Sequence, residues 1–439
     1  MIRRTFLPAL TLVLWTAPAG AQAPLSLPDA IYRAQTRNAD ARAAEAAERQ
    51  AEARLTQARA GYLPSVDVTE SWQRGNQPVF VFSSLLSQRQ FQASNFAIDA
   101  LNHPDAVNNL RVGITVDQAV FDATTRSGVR SASLGRDLAA TTREVVAQDL
   151  AVAVTESYGG VLAADAATRA AEAAVEAATA DRELARNRRD AGVVTEADVL
   201  RIEVHLAQAR AEQIRSAAEA TVARARLNQL LGEPLDAVFT LDEAPVPEAL
   251  AGNDLPALES MAVSVRPDLK RASLQEQLAR AAVDGARASF LPRLYAQGGW
   301  EANGDAWGSR ASSWMFGAVA RVNLFRGFAD RARLAEARHV QAARAIEREK
   351  AETAVRLDVR IARARLEAAR AAEAVSRAAV AQARESHRIV RDRYEAGLAD
   401  VAALVGAAEA VQQADARAAA ARVDITVAAA TLARALGTR

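Results

Sequence analysis

Histidine, cysteine and methionine supply most catalytic and metal-binding clusters, and this chain offers few of them. Its four histidines, His103, His205, His339 and His387, are far apart, and no His-Glu-x-x-His pair places two imidazoles on one helix face. There is no cysteine, which excludes disulfides, thiolate ligands, thiol catalysis and a lipidated N-terminal cysteine. Met1, Met261 and Met315 form no cluster for soft metals. Neither a phosphate-binding Walker loop nor a dinucleotide-binding glycine fingerprint occurs, so the sequence assigns no cofactor and no enzymatic step. Lys and Arg number 54 against 53 Asp and Glu, leaving a net charge of +1 and no basic surplus for nucleic acid.

The spacing does support turn chemistry. Thr195 and Asp198 have the Thr-x-x-Asp spacing of a capping box just beyond Gly192, and Asp400 is placed to cap a helix that follows Gly397. Each cap stabilises its turn by about 1 kcal/mol. The elements that these caps begin are long. No glycine or proline occurs from Phe328 to Ala396, and a continuous helix of that length would extend roughly 100 Å at about 1.5 Å per residue. A second helical run continues from Gly397 to Leu436, and Val193 to Leu231 is similar. Gly192 and Gly397 therefore mark the turns of two helical hairpins. Their large apolar residues are sparse and separated by alanines, which lets helices approach closely in a coiled-coil-like wall. Gly159 and Gly160 interrupt the first long run and mark either a kink or a close helix crossing.

The chain repeats itself. Ala58-Arg59-Ala60-Gly61-Tyr62-Leu63-Pro64 aligns with Ala286-Arg287-Ala288-Ser289-Phe290-Leu291-Pro292, and the Gly192 turn and Leu231-Gly232 find counterparts at Gly397 and Leu436-Gly437. A tandem duplication accounts for this order of landmarks. Arg3 and Arg4, the apolar run Phe6 to Trp15 and the small residues Ala19 to Ala21 read as a signal peptide over 1–21. The expected organisation is a first repeat over 22–236, a connecting segment over 237–262 and a second repeat over 263–439. Pro234, Pro245, Pro247 and Pro256 exclude regular helix from the connection.

Between the helices, four stretches alternate with period two. The apolar positions are Val66, Val68 and Trp72 in the first; Leu110, Val112, Ile114 and Val116 in the second; Leu294, Ala296 and Trp300 in the third; and Trp314, Phe316, Ala318 and Ala320 in the fourth. Strands are expected at about 65–73, 109–121, 293–301 and 312–325. Of the 21 aromatic residues, 15 lie within 62–121 or 290–328, the clustering that girdles at a bilayer's surfaces require. Trp72, Trp300, Trp314 and Phe316 are the candidate girdle residues. No apolar run beyond residue 21 reaches the length of a spanning helix, so a bilayer can be crossed only by strands. Four strands cannot close a barrel, and a chain of this kind must combine its strands with those of other copies. The competing reading is a soluble periplasmic coiled-coil scaffold with its sheet buried. Its helices carry too little large apolar surface to cover that sheet.

The duplicated Ala-Arg-Ala-x-aromatic-Leu-Pro segments, Arg266-Pro267-Asp268-Leu269 and the turns at Gly192 and Gly397 together resemble the TolC-type outer-membrane efflux proteins. The similarity covers essentially the whole chain after the leader. It implies a mainly α fold with a membrane β-barrel portion: duplicated helical hairpins forming a trimeric tunnel in the periplasm, and four strands per subunit in a 12-strand barrel. It also implies a passive exit duct in the outer membrane. The implied partners are outer-membrane lipid, two further copies of the chain, a periplasmic adaptor, and an inner-membrane pump of the RND, ABC or MFS type. Efflux of small molecules and type I secretion of polypeptides both employ such ducts. The resemblance assigns adaptor docking to Gly192, Val193, Gly397 and Leu398. It places a gate at Tyr394, three residues before the second turn's glycine, a position where an aromatic also serves simply to pack helices near a turn; a constriction here would rest on packing around Tyr394 and Leu404. The family's polar lock after that glycine falls here on Ala399, Ala403 and Gly406, which cannot form it, although Asp198 matches the acidic position of the first hairpin.

Overall fold

The computed structural model describes residues 24–243 and 254–438. The leader expected over 1–21, Pro245 and Pro247 lie outside the described residues. The chain divides into two compact units, with the division falling inside the two longest helices and near the end of the last one.

One unit comprises residues 39–149, 254–363 and 432–438 among those described and holds the strands. In chain order it contains α2 (Ala39–Ala60), β1 (Ser65–Gly75), α3 (Pro78–Ser87), a 3-10 turn (Ala93–Phe96), α4 (Ile98–Asn102) and β2 (Val107–Phe121). The first part of α5 (Ala123–Asp190), α7 (Leu255–Val265), α8 (Pro267–Ala288), β3 (Arg293–Gly304), β4 (Arg310–Arg321) and the first part of α9 (Ala329–Glu395) follow. The strands form one antiparallel sheet in the order β1-β2-β3-β4, so β1 and β4 lie at its edges. The register puts Trp72 opposite Leu110, Ile114 opposite Trp300, and Trp300 opposite Trp314. Every large apolar residue of the alternation therefore shares one face, which is open: Trp314 is 79% exposed and Trp72 66%. Glu70 breaks the alternation on that face, where Arg310 lies 3.6 Å from its carboxylate. Asp67, Thr69, Arg111, Thr115, Gln297 and Glu301 share the opposite face, and Arg111 and Glu301 pair across it at 2.6 Å.

The strand bounds differ from the alternation at one end. β1, β2, β3 and β4 reach Gly75, Val107, Gly304 and Arg310, because backbone pairing continues past the last alternating side chain. β4 stops at Arg321, opposite the first residue of β3, so Val322 to Phe325 extend beyond their partner. The connecting segment expected to lack helix contains the start of α7. Pro256 occupies its first turn, where no N–H is needed, so this proline opens a helix.

The other unit comprises residues 24–38, 150–243 and 364–431 among those described. It holds α1 (Leu27–Arg37), the rest of α5, α6 (Glu196–Leu231), the rest of α9 and most of α10 (Val401–Leu436). Leu25 and Leu241 form a β-bridge beside α5, and the Tyr158 hydroxyl is shared between the Leu25 and Asp242 carbonyls at 2.7 Å each. Burial pushes that phenol up to about 12.

Gly159 settles the alternative left open by the sequence. α5 continues through it, and a Cβ there would lie 2.5 Å from Val423 Cγ1 of α10, so the glycine serves a close crossing. Gly159→Ala is therefore expected to lower stability by about 1–3 kcal/mol, despite alanine's better helix propensity. Adding Val423→Ala should return most of that loss in a thermal melt of the purified protein. Failure of the second change to rescue would remove the crossing as the cause.

Candidate functional site: the two hairpin tips

The tips are built alike. At the end of α5, the Val193 N–H donates to the Arg188 carbonyl at 2.9 Å and Gly192 N–H to the Arg189 carbonyl at 2.8 Å, with Gly192 at φ +73°. At the end of α9, the Leu398 N–H donates to the Arg393 carbonyl at 2.8 Å and Gly397 N–H to the Tyr394 carbonyl at 3.0 Å, with Gly397 at φ +76°. Both are Schellman turns, which need a left-handed residue after the last helical turn. The next helix then starts on a side-chain cap. Thr195 and Asp198 satisfy each other's backbone N–H groups at the start of α6, and Asp400 Oδ1 accepts from Ala403 N–H at 2.8 Å at the start of α10. The hydrogen bonds from Thr195 hold the Asp198 carboxyl below its ordinary range.

Val193 and Leu398 project from these turns, 59% and 69% exposed. Behind them lies a closed apolar cluster of Ala185 from α5, Val199 and Ile202 from α6, Tyr394 from α9, and Val401 and Leu404 from α10. The structure thus brings Tyr394 and Leu404 together, 1% exposed each, while the four docking residues occupy the turns.

Arg188 is the residue that sequence reasoning missed. It lies in the last turn of α5, where a basic residue ordinarily serves its own helix terminus. Here its guanidinium stacks on the Tyr394 ring, with 4.9 Å from Cζ to the centroid, and Nη1 donates to the carbonyls of Tyr394 and, at 2.9 Å, Glu395. The first hairpin therefore caps the long helix of the second. Its sequence signal was weak: the basic residue precedes one turn while the aromatic residue precedes the other. The Tyr394 hydroxyl is buried without a partner, and burial raises its pKa. Asp198 is committed to its cap.

Farther back along α5, Asp181 is 6% exposed and lies among charged and titratable neighbours: His205 of α6, and His387, Arg391 and Glu395 of α9. Burial pushes its carboxyl above the ordinary range, against the pull of Arg391 and the two histidines. A raised native value means that the folded state holds the proton more tightly than the unfolded chain. Its contribution is favourable below the unfolded value of 3.8 and is lost as pH rises through the native value. Asp181→Asn should therefore melt at a higher temperature than the parent at neutral pH, with the difference shrinking on acidification. A parent that gains nothing relative to Asp181→Asn on acidification would contradict this sign.

Among the described residues no helix is long and apolar enough to cross a membrane and no group of His, Asp or Glu could hold a metal ion. The strands are the parts of the fold suited to lipid. The family described as outer membrane efflux protein matches this chain over residues 30–233 and 258–438. The chain belongs to that family. Its place is the outer membrane, with helices extending into the periplasm. Among curated relatives, Protein CyaE of Bordetella pertussis is 30% identical over 312 residues, covering 69% of this chain and 65% of CyaE. Outer membrane protein OprJ of Pseudomonas aeruginosa is 28% identical over 340 residues, covering 74% of this chain and 69% of OprJ. The fold matches the Campylobacter jejuni CmeC outer membrane channel with a TM-score of 0.79 at 16% identity, over 94% of this chain and 85% of CmeC. It matches the Neisseria gonorrhoeae MtrE outer membrane channel, solved in its open state, with a TM-score of 0.77 at 21% identity, over 95% and 90%. At these identities the likeness concerns the fold: helical hairpins with strands that contribute to a barrel.

Proposed function

We propose that this efflux-family protein is a homotrimeric passive exit duct for small molecules, fed by an inner-membrane pump through a periplasmic adaptor. The observation that carries this reading is the sheet: four strands, two open edges, and one apolar face bearing Trp72, Trp300, Trp314 and Phe316 in the open. Such a face is stable against lipid, and such edges are satisfied by pairing β4 of one copy with β1 of the next. Three copies give 12 strands, with the polar face around a water-filled bore and the aromatic residues at the bilayer surfaces. In this arrangement the apolar residues Val193 and Leu398 are free for an adaptor, the neighbouring glycines Gly192 and Gly397 admit close approach, and packing around Tyr394 and Leu404 shuts the periplasmic end. Energy comes from the pump, so the duct's own residues have only to open and close.

Detergent-solubilised protein should run as a trimer by light scattering, fractionate with the outer membrane and conduct ions across planar bilayers. Release of a surfactant-free monomer by osmotic shock would refute the reading in favour of a periplasmic scaffold.

A further inference from the structure

The connection from Gln73 to Asn108, with Pro78, Phe80, Phe82, Phe91 and Phe96, reads in the sequence as the long outer loop between the first two strands, placed to narrow the mouth and too apolar to be freely solvated. Within that connection the structure forms α3, a 3-10 turn and α4, and their placement is specific. The Phe80 ring lies 3.6 Å from where a Cβ on Gly75 would point, and Gly75 belongs to the polar face of the sheet. At the other end of α3, Gln88 Nε2 donates to the Asn108 carbonyl at 2.7 Å and to Asn109 Oδ1 at 3.0 Å, and Asn109 Nδ2 donates to Asn303 Oδ1 at 3.1 Å. Asn109 and Asn303 also lie on the polar face, and Gln88, Asn109 and Asn303 are all buried. An amide chain thus runs from α3 across β2 to β3. Next to it, Arg89 takes φ +55°, a left-handed conformation unusual for a side-chain-bearing residue, and Nη2 reaches the Ser312 carbonyl of β4 at 3.0 Å. Edge-to-face contacts link Phe82 to Phe91 and Phe91 to Phe96, with ring centroids 4.8 and 5.0 Å apart, which makes the insertion a body of its own.

We propose that residues 76–106 form a latched lid over the outer end of the bore, a second constriction independent of the periplasmic tips. The proposal rests on the reading of the polar sheet face as the bore wall. Barrels of eight strands are filled by side chains and those of 16 to 18 leave an open channel, so a 12-strand bore is narrow. A helix about 10 Å across from each subunit, lying on the inner face, then occupies much of the mouth. The latch is built to release. Gln88 Oε1 and Asn303 Nδ2 at its two ends are buried without partners, and the corner at Arg89 is strained, so the closed position is held less firmly than a fully paired network would hold it.

The absence of cysteine allows a direct test. Thr115 is exposed on the polar face, farther from the lid end than the latch. In intact cells carrying Thr115→Cys, a small membrane-impermeant maleimide should label the protein, whereas a maleimide on a long polyethylene glycol should be excluded. Replacing residues 77–105 by a two-residue turn should speed labelling by the large reagent about tenfold or more, and Gln88→Ala, which keeps the insertion, should raise it by a smaller factor. Equal labelling by the large reagent with and without the lid would overturn the proposal and leave the duct intact. If even the small reagent fails to label the lidless protein, the bore assignment fails, and the lid with it.

Discussion

Gly397→Pro is expected to abolish export while leaving the protein in the outer membrane at normal abundance. Gly397 sits at φ +76°, and proline is confined near φ −65°. Its N–H donates to the Tyr394 carbonyl, and proline has no N–H to give. The turn cannot survive both losses, so the Leu398 N–H loses its partner at Arg393 and the exposed Leu398 side chain changes direction. The local cost is about 3 kcal/mol or more, enough to unmake a short turn. The sheet belongs to the other compact unit, whose strand pairing makes no use of residue 397, so barrel assembly should be spared. The measurement is susceptibility to exported compounds in cells that also carry the matching adaptor and pump, with outer-membrane fractionation as the control. Gly397→Ala is the milder comparison, since alanine tolerates the left-handed conformation at roughly 1–2 kcal/mol. Unchanged export by the proline variant would take the second tip out of the docking account.

The strands were legible because one face had to be apolar throughout. Val112, Ile114 and Val116 in β2 and Trp314, Phe316 and Ala318 in β4 state their orientation without reference to any partner. Caps were legible for a similar reason: Thr195 and Asp198 interact over three residues, within reach of local spacing. What escaped was chemistry between segments distant in sequence. Arg188 and Tyr394 are joined only when two hairpins lie side by side, and the Gln88–Asn109–Asn303 chain links residues that are unremarkable alone. The helix α3 was obscured because its phenylalanines and Pro78 suggest an apolar loop, although proline in the first turn is compatible with a helix start. Gly159 could be flagged but not interpreted, since a kink and a close crossing leave the same gap in the sequence and only Val423 tells them apart. Adaptor docking at Gly192, Val193, Gly397 and Leu398 stands on resemblance together with the exposure of the two apolar side chains.

Tyr394→Phe should leave the tip as tight as before, whereas Tyr394→Ala and Arg188→Ala should both make it leak. The difference follows from where the hydroxyl is. It has no partner, and its oxygen is sealed inside a single chain, so no neighbouring copy can reach it to form a latch. Removing a buried, unpaired hydroxyl stabilises by about 1 kcal/mol or leaves stability unchanged. Removing the ring empties the space among Ile202, Val401 and Leu404 and costs about 3–5 kcal/mol. Arg188→Ala strips the Tyr394 and Glu395 carbonyls of their cap and the ring of its cation, and Arg188→Lys should restore only part of this. One nitrogen, Nη1, makes both carbonyl contacts, so an ammonium could keep those, but it is a compact, strongly hydrated charge and cannot lie flat on the ring as the planar guanidinium does. Single-channel conductance and sensitivity of cells to large antibiotics would report all four variants on one scale. If the phenylalanine variant leaks as freely as the alanine variant, the hydroxyl has an interaction that packing does not supply, and the tip is held by a polar lock after all.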